Sequence, residues 1–498
     1  MVVLLLLGAG LMTHTVSGQW MAPPAIEWQL GFGGTNSDVL TALQQTSDGG
    51  YIFGGYSFSP ANGNKTSSNY GDSDFWIVRL DANTNTLWQR SFGGELPDRL
   101  SALQQTSDGG YVLGGYSSSP PSGNKTSANH GGWDYWLIRL DANGDKVWEQ
   151  SFGGSGNDEL FSVRETSGGG FILGGRSSSP VSGTKTSTNW GGNDYWAVRV
   201  DRNGVQIWDR SYGGSAEDVL KSVRETADGG FVLGGYSASA PGEGKTSPRV
   251  SRAQDAWLVR VDAAGNRLWD RSYGYAYAFD TGIVSLDQTR DGGFILAGTY
   301  GDSLGYYAFM AVRTDAAGFG LWTNAYWSSA FDYCYTTEAL GDGGYMLGGL
   351  GSGVYRALRV HENGIALWQQ SYVGYGGLGL DELWSLQQTY DGGFILGGRS
   401  SSGIGGSKTV PTFGVSDYWI IKLAPEVPRF EISTNQINPE ATFRFTLFPG
   451  TTNHSYLLDH STNLANWTAL QTNRATTYKI EITDTNTSFR FYRVARML

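Results

Sequence analysis

The sequence predicts an all-β protein: a seven-bladed β-propeller closed by its N-terminal strand and followed by a small C-terminal β-sandwich. Three observations support this fold class. One repeat recurs along most of the 498 residues, each copy contains four strand-like runs, and the two ends of the array complement each other. Four short antiparallel strands per repeat are typical of a propeller blade.

The repeat has three landmarks. The first, Asp-Gly-Gly-aromatic, opens at Asp48, Asp108, Asp228, Asp291, Asp342 and Asp391, with Gly168 in place of the aspartate in the third copy. The second, Asp-aromatic-Trp, opens at Asp74, Asp134, Asp194 and Asp417, with a near match at Asp255. The third is a single tryptophan, at Trp28, Trp88, Trp148, Trp208, Trp269, Trp322 and Trp368. The first four of these tryptophans are 60 residues apart, which indicates a tandem array.

The second copy shows the expected strands of one repeat. They are Leu100–Thr106, Tyr111–Ser117, Asp134–Leu140 and Lys146–Phe152. Turns rich in Gly, Asn and Asp separate them, and Asp-Gly and Asn-Gly pairs supply the positive φ that tight hairpins need. No apolar period near 3.6 residues is present, so helices are expected to be rare.

The two ends of the array are half-blades. The chain begins with a lone fourth strand, Ile26–Phe32, and its last repeat stops after a third strand, Asp417–Leu423. Joined, they would complete a seventh blade and cover strand edges that otherwise invite aggregation. An open β-solenoid is the alternative, but it does not explain why the two half-blades complement each other.

The repeat resembles the DGG-type β-propeller repeats of secreted bacterial proteins. The resemblance rests on Asp108 to Gly115, Asp134 to Trp136 and Leu140 to Gly144, and it covers roughly residues 26–423. It implies an exported propeller. It implies no particular ligand, because that group has no single activity.

Four segments are expected along the chain. Residues 1–18 are a predicted signal peptide, because Val2 to Met12 is apolar and Val16-Ser17-Gly18 suits cleavage, although no Lys or Arg precedes the apolar stretch. Residues 19–424 form the propeller and 425–428 a linker. Residues 429–498 form the β-sandwich module, interpreted as a surface-retention module, a carbohydrate-binding module or a structural cap. The expected location is secreted, periplasmic or at the cell surface.

Composition excludes several classes of partner and site. The net charge is −11 and no Lys/Arg block exists, which argues against nucleic acid and anionic membranes. Cys334 is the only cysteine, so no intrachain disulfide and no Cys-rich metal site can form. No cofactor, no metal and no catalytic residue is predicted. We expect a monomer without a transmembrane segment in the mature chain.

Several motifs have simpler structural explanations. Gly301 to Gly305 matches the opening of a lipase motif, but it falls in a short turn between two strands and lacks a nearby histidine base. The loop from Asp141 to Asp145 invites a calcium site, yet hairpin chemistry explains it without metal. An aspartate also precedes every first strand, and such regularity favours a tie to backbone N–H groups. These are Asp38, Asp98, Asp158, Asp218, Asp280, Asp332 and Asp381.

The loop joining the second and third strands is the candidate ligand site. It carries a Lys-Thr pair in five copies, at Lys65, Lys125, Lys185, Lys245 and Lys408. Five residues further on stand Tyr70, His130, Trp190, Val250 and Phe413. In a meander these loops share one end of the ring with the connections between blades. Aromatic faces beside polar groups suit a sugar or a peptide. Alternatively, the lysines pair with the aspartates and the loops pack on each other.

The predicted function is a secreted or surface-exposed, non-catalytic scaffold that binds a polysaccharide or an extracellular protein. The candidate ligand-binding residues are Lys65, Tyr70, Lys125, His130, Lys185, Trp190, Lys245, Lys408 and Phe413. One alternative is a carbohydrate-active lyase or hydrolase with its site on the same face, for which His130 is the only loop histidine. The other is a purely structural protein of the cell envelope.

Overall fold

The protein is all-β in the computed structural model, which describes residues 21–276, 278–328, 331–376 and 380–426. Beyond these it describes the backbone of one short strand near the N-terminus and of six strands after residue 428. The described residues contain no helix, so none that could cross a membrane is found among them. Seven four-stranded antiparallel sheets form the blades, which confirms the predicted seven-bladed propeller.

Blades 1 to 4 follow each other along the chain. Blade 1 consists of Asp38–Gln45, Tyr51–Ser57, Asp74–Leu80 and Thr86–Phe92. Blade 2 consists of Asp98–Gln105, Tyr111–Ser117, Asp134–Leu140 and Lys146–Phe152. Blade 3 consists of Asp158–Glu165, Phe171–Ser177, Asp194–Val200 and Gln206–Tyr212. Blade 4 consists of Asp218–Glu225, Phe231–Ser237, Asp255–Val261 and Arg267–Tyr273.

Blades 5 to 7 have shorter connections or a strand from elsewhere in the chain. Blade 5 consists of Asp280–Gln288, Phe294–Gly301, Tyr307–Thr314 and Gly320–Tyr326. Blade 6 consists of Asp332–Ala339, Tyr345–Gly351, Val354–Val360 and Ala366–Tyr372. Blade 7 consists of Asp381–Gln388, Phe394–Ser400, Asp417–Leu423 and the N-terminal Ile26–Phe32. In that sheet Ile26 lies opposite Leu423 and Phe32 opposite Tyr418.

The first strands are the innermost and form a closed ring. Each contacts the first strand of the next blade, and that of blade 7 contacts that of blade 1. In all seven blades the first strand starts at its aspartate, so the aspartates lie within the strands and not before them. The Asp98 N–H donates to the Ser73 carbonyl of the preceding blade at 2.6 Å. This bond ties neighbouring blades together where the first strand begins.

The Asp-aromatic-Trp landmark packs one blade on the next. The ring of Tyr135 lies 4.6 Å from that of Trp196, and Tyr195 lies at the same distance from Trp257. The Tyr135 hydroxyl also donates to the Trp196 carbonyl at 2.9 Å. Both rings of each pair are fully buried. The middle aromatic residue of the motif therefore fills the interface with the following blade, where it packs against the motif tryptophan of that blade.

The Asp-Gly-Gly landmark fixes the turn at the opposite end of the ring. Gly49 has a φ of +83°, and the Asp48 carboxylate pairs with Arg79 of the third strand at 2.6 Å. Blade 3 lacks this aspartate. Its Arg199 instead donates to the Thr166 hydroxyl and the Gly169 carbonyl. The arginine remains satisfied, which explains how the third copy tolerates the substitution.

The C-terminal module is described only as strands. Arg429–Thr434, Phe443–Phe448 and Ile480–Asp484 form a three-stranded sheet. Ser455–Ser461, Thr468–Arg474 and Phe491–Met497 form a second sheet with Leu5–Leu6. The β-sandwich therefore stays a prediction, and the predicted signal peptide, residues 1–18, lies outside the described residues apart from Leu5–Leu6.

Candidate functional site

The loops between second and third strands share one end of the propeller with the connections between blades. The Ser118 N–H donates to the Pro97 carbonyl of a connection at 3.1 Å, and the Asn124 amide oxygen accepts from the Gly93 N–H at 2.9 Å. We call this end the loop face. It is formed by the segments 58–73, 118–133, 178–193, 238–254 and 401–416.

The five loop lysines are buried and not on the surface of the loop face. All are at most 2% exposed. In four blades the ammonium group donates a hydrogen bond of 2.7 Å to the carbonyl of the serine two residues further along the chain. In blade 7 it donates to the Ser402 carbonyl. Each lysine Nζ also lies 5.5–5.8 Å from the centroid of its blade's third-strand tryptophan. Their burial assigns Lys65, Lys125, Lys185, Lys245 and Lys408 to holding the loops, a correction to the predicted ligand contact.

The lysine–tryptophan contact explains why two sequence features disappear together. Blades 5 and 6 lack the Lys-Thr loop, and in their third strands Met310 and Arg356 occupy the position of the tryptophan. Arg356 pairs with Asp332 at 2.8 Å, and its guanidinium lies 4.4 Å from the Phe309 ring. Blade 6 thus also has a buried cation over an aromatic ring, but the cation stands at the tryptophan position and the ring belongs to the third strand of blade 5.

The loop aromatics are partly open to solvent. Tyr70 is 40% exposed, Trp190 and Phe413 are each 38% exposed, and His130 and Val250 are half-buried. All are anchored alike, because the backbone N–H at each position donates to the third-strand aspartate of the same blade. Tyr70 also covers Gly123 of the next loop, where an added Cβ would lie 2.8 Å from it. Trp190 approaches Gly244 of its next loop in the same way, so both side chains lie against a neighbouring loop while remaining partly exposed to solvent.

Pairs of carboxyl groups are buried beneath the loop face. In blades 1 and 2, Asp74 of one third strand and Asp98 of the next first strand both approach Gly93. One oxygen of each has no hydrogen-bond partner among the described residues. Burial raises the pKa of Asp74 to about 7; the hydrogen bond from the Tyr70 N–H opposes this rise and the negative charge of Asp98 adds to it. Burial likewise raises the pKa of Asp98 to about 6. The recurring aspartates thus accept hydrogen bonds from backbone N–H groups, as Asp98 does from Gly94, while burial raises their pKa.

A central channel runs along the propeller axis, and sequence reasoning missed it. Its volume is about 410 Å³, and all seven first strands line it. The tier nearer the loop face consists of Thr41, Ser101, Phe161, Lys221, Val284, Tyr335 and Trp384. The tier nearer the opposite end consists of Gln44, Gln104, Arg164, Arg224, Asp287, Glu338 and Gln387. These positions differ between copies of an otherwise regular repeat, which is the signal that could have found them.

The lower tier ties blades together through side chains. The Gln44 amide oxygen accepts from the Gln105 N–H of the next blade at 2.7 Å, and Gln387 accepts likewise from Gln45. Asp287 and Glu338 accept from the backbone of blades 6 and 7 in the same way. Burial, opposed by the hydrogen bond from Gln388, raises the pKa of Glu338 to about 8. The two carboxyl groups therefore accept the same hydrogen bond from the next blade that the glutamine side chains accept elsewhere in this tier.

The upper tier joins a lysine to aromatic rings. The Lys221 Nζ lies 3.5 Å from the Phe161 ring centroid, and Tyr116 connects Phe161 to Trp133 on the loop face. Across the channel Tyr335 and Trp384 stack with centroids 4.3 Å apart and an interplanar angle of 7°. The channel therefore has an aromatic wall on two sides and a cation between them.

Two further sequence features are structural. Ser303 lies in a turn whose Asp302 carboxylate accepts from the Leu304 and Tyr306 N–H groups, as expected for a hairpin rather than a nucleophile. Cys334 is fully buried, and burial raises the pKa of its thiol to about 12. Such a thiol is unreactive.

Comparison with known proteins assigns no family to this chain. No family model and no curated protein matches this chain. A solved protein from Lactobacillus plantarum is 8% identical, with a TM-score of 0.41 over 86% of this chain and 98% of that one. Prolyl oligopeptidase B from Galerina marginata is 10% identical, with a TM-score of 0.40 over 83% of this chain and 56% of its own. Likenesses this distant carry no argument about the fold or the function of this chain.

Proposed function

We propose that the protein is a non-catalytic propeller, exported to the cell surface or beyond, that binds a polysaccharide on its loop face. One observation carries the proposal: Tyr70, Trp190 and Phe413 occupy one repeat position, on one face, and remain more than a third exposed. Exposed rings held by a rigid backbone lose little entropy when a flat sugar face stacks on them. An extracellular protein is the other ligand class, and the test below distinguishes it.

Export is supported by the resemblance to secreted DGG-type repeats and by the apolar stretch from Val2 to Met12. The C-terminal module, residues 429–498, then serves as a β-sandwich that retains the protein on a surface or adds a second carbohydrate contact. The N-terminal strand Ile26–Phe32 would act as the closure that keeps the ring intact outside the cell.

Replacing Tyr70, Trp190 and Phe413 together with alanine is expected to abolish retention of the protein by polysaccharide while leaving thermal melting nearly unchanged. Half-exposed rings contribute little to the core, whereas each stacked sugar loses most of its contact area. Affinity electrophoresis in gels containing neutral and acidic soluble polysaccharides measures retention. Melting of the same samples measures stability.

The matched control removes exposed apolar groups away from the loop face. Val147 and Ile207 on fourth strands, and Val205 just before one, are about 60% exposed. Their replacement with alanine should leave retention unchanged. Retention of the aromatic triple variant equal to that of the wild type would contradict the proposal, as would loss of its fold. Retention of neither protein by any polysaccharide would favour an extracellular protein ligand.

A carbohydrate-active enzyme is the second candidate, and the carboxyl groups of Glu338 and Asp287 in the channel are the observation that favours it. Glycosidases pair two carboxyl groups, one of them with a raised pKa. Both groups here are engaged by backbone N–H donors, at ring positions where Gln44 and Gln387 make the same bond. A role in joining blades therefore accounts for them, and the binding function is preferred.

A further inference from the structure

Arg164 breaks the regular lower tier of the channel. Gln44 and Gln104 in the two preceding blades accept a hydrogen bond from the next blade at this position, which a guanidinium cannot do. No hydrogen bond or ion pair joins Arg164 to any residue in the described part of the chain, and Arg224 stands beside it. The nearby Arg224 guanidinium, and then burial, lower the pKa of Arg164 to about 9. Arg224 is paired with the Asp287 carboxylate at 3.1 Å, so Arg164 is the guanidinium of the two that has no ion pair among the described residues.

Lys221 in the upper tier is likewise without an anionic partner. Its ammonium group contacts the Phe161 ring but makes no hydrogen bond or ion pair with a described residue. The carboxylates that act on its charge, Glu159 and Glu217, are both held by Arg176, at 2.6 and 3.2 Å. The N–H donors of the Lys221 ammonium group are therefore available to a ligand in the channel.

The opposite wall offers a flat apolar surface with a free donor. Trp384 stacks on Tyr335, and its indole nitrogen is buried without a hydrogen-bond partner in the described structure. Buried donors are normally satisfied, so an unsatisfied one points to a missing partner. In blades 1 and 2 the equivalent positions hold the small residues Thr41 and Ser101. The wall is therefore specific to blades 6 and 7.

We propose that the channel binds a small carboxylate-bearing ring compound of the sugar-acid type, with its carboxylate facing Lys221 and Arg164 and its ring against Trp384. Three cations and two carboxyl groups line the channel, although the whole protein carries a net charge of −11. This local excess of positive charge selects an anion. A volume of about 410 Å³ accepts a monosaccharide and not a folded chain. This site is separate from the loop face and does not depend on the function proposed above.

Isothermal titration with D-glucuronate tests the proposal, with D-glucose and inorganic phosphate as reference solutes. D-glucuronate is expected to bind at one site per chain. Glucose, which lacks the carboxylate, is expected to bind at least about tenfold more weakly. Lys221→Ser and Arg164→Gln should each weaken glucuronate binding by about tenfold or more. Both variants introduce the residue that a sister blade carries at the same position. Melting should therefore be unchanged, and Arg164→Gln can restore the missing bond between blades.

The loop-face variant lacking Tyr70, Trp190 and Phe413 is the control that separates the two sites. It should bind glucuronate as the wild type does, even where it no longer binds polysaccharide. No heat with glucuronate at about 10 mM would overturn the channel site. Equal binding of glucose, stronger binding of phosphate, or wild-type affinity in both channel variants would overturn it as well.

Discussion

Replacing Lys185 with methionine is expected to lower the free energy of unfolding by about 3 kcal/mol without changing ligand retention. The Lys185 ammonium group is 1% exposed and donates to the Ser187 carbonyl, the Ser187 hydroxyl and the Ser211 hydroxyl at 2.7–2.9 Å. It also lies 5.7 Å from the Trp196 ring. Methionine keeps most of the packing volume but removes the charge and three hydrogen bonds, whereas the Trp190 N–H stays bonded to Asp194 and holds the ligand-binding ring in place.

Urea and thermal unfolding measure the loss, and affinity electrophoresis measures retention. Arg202→Met, in the same blade, removes an equal charge from an exposed side chain and should change stability by less than about 0.5 kcal/mol. A Lys185 variant that melts like the wild type but is no longer retained would show that this lysine contacts the ligand. That result would restore the interpretation based on the sequence.

The protein is expected to lose thermal stability as the pH rises from 5 to 7.5, by about 5–10 °C in melting temperature. The cause is the set of buried third-strand aspartates. Burial raises their pKa from the ordinary value of 3.8 to about 7, at Asp74, Asp134, Asp194 and Asp417. Between these two values the folded protein binds more protons than the unfolded chain, so each increase in pH favours unfolding. Above about pH 7 both states are ionised and the slope flattens.

The carboxylates in the Asp-Gly-Gly turns act in the opposite direction at lower pH. Hydrogen bonds and the charge of Arg139 lower the pKa of Asp108, so its contribution is present above pH 3.8 and is lost as the pH falls through its folded-state pKa. Maximum stability is therefore expected in the mildly acidic range. Calorimetry across pH 3 to 7.5 measures the profile.

A fourfold asparagine variant at Asp74, Asp134, Asp194 and Asp417 isolates the cause. Asparagine keeps an acceptor for the loop N–H but cannot ionise, so the decline between pH 5 and 7.5 should largely disappear. The same substitution at Asp141, an aspartate in an exposed turn, should leave the decline in place. A wild-type melting temperature that rises from pH 5 to 7.5 would refute the assignment.

The repeat could be predicted because its strands repeat their own turn signals. Three predicted strands of blade 2 have the bounds found in the structure, and the first, predicted as Leu100–Thr106, spans Asp98–Gln105. The difference arises because Asp98 pairs with Ser117 across the sheet. A polar residue beside a turn gives no local sign of such pairing.

The candidate site was less predictable because it depends on contacts between strands. Lys125 appears in a polar loop, and only the folded blade brings it over Trp136. The channel residues were missed for a different reason. Lys221 and Trp384 occupy one repeat position that also holds Thr41, so emphasis on what the copies share hides the inward-facing residues that distinguish them.

Analysis of the polysaccharide itself after incubation with the purified protein tests the central claim most directly. The polysaccharide that retains the protein is examined for new reducing ends and for unsaturated products. Retention without either product is the result expected of a binding propeller. Release of new reducing ends or unsaturated sugars would contradict it and identify an enzyme, with Glu338 and Asp287 as the first residues to replace.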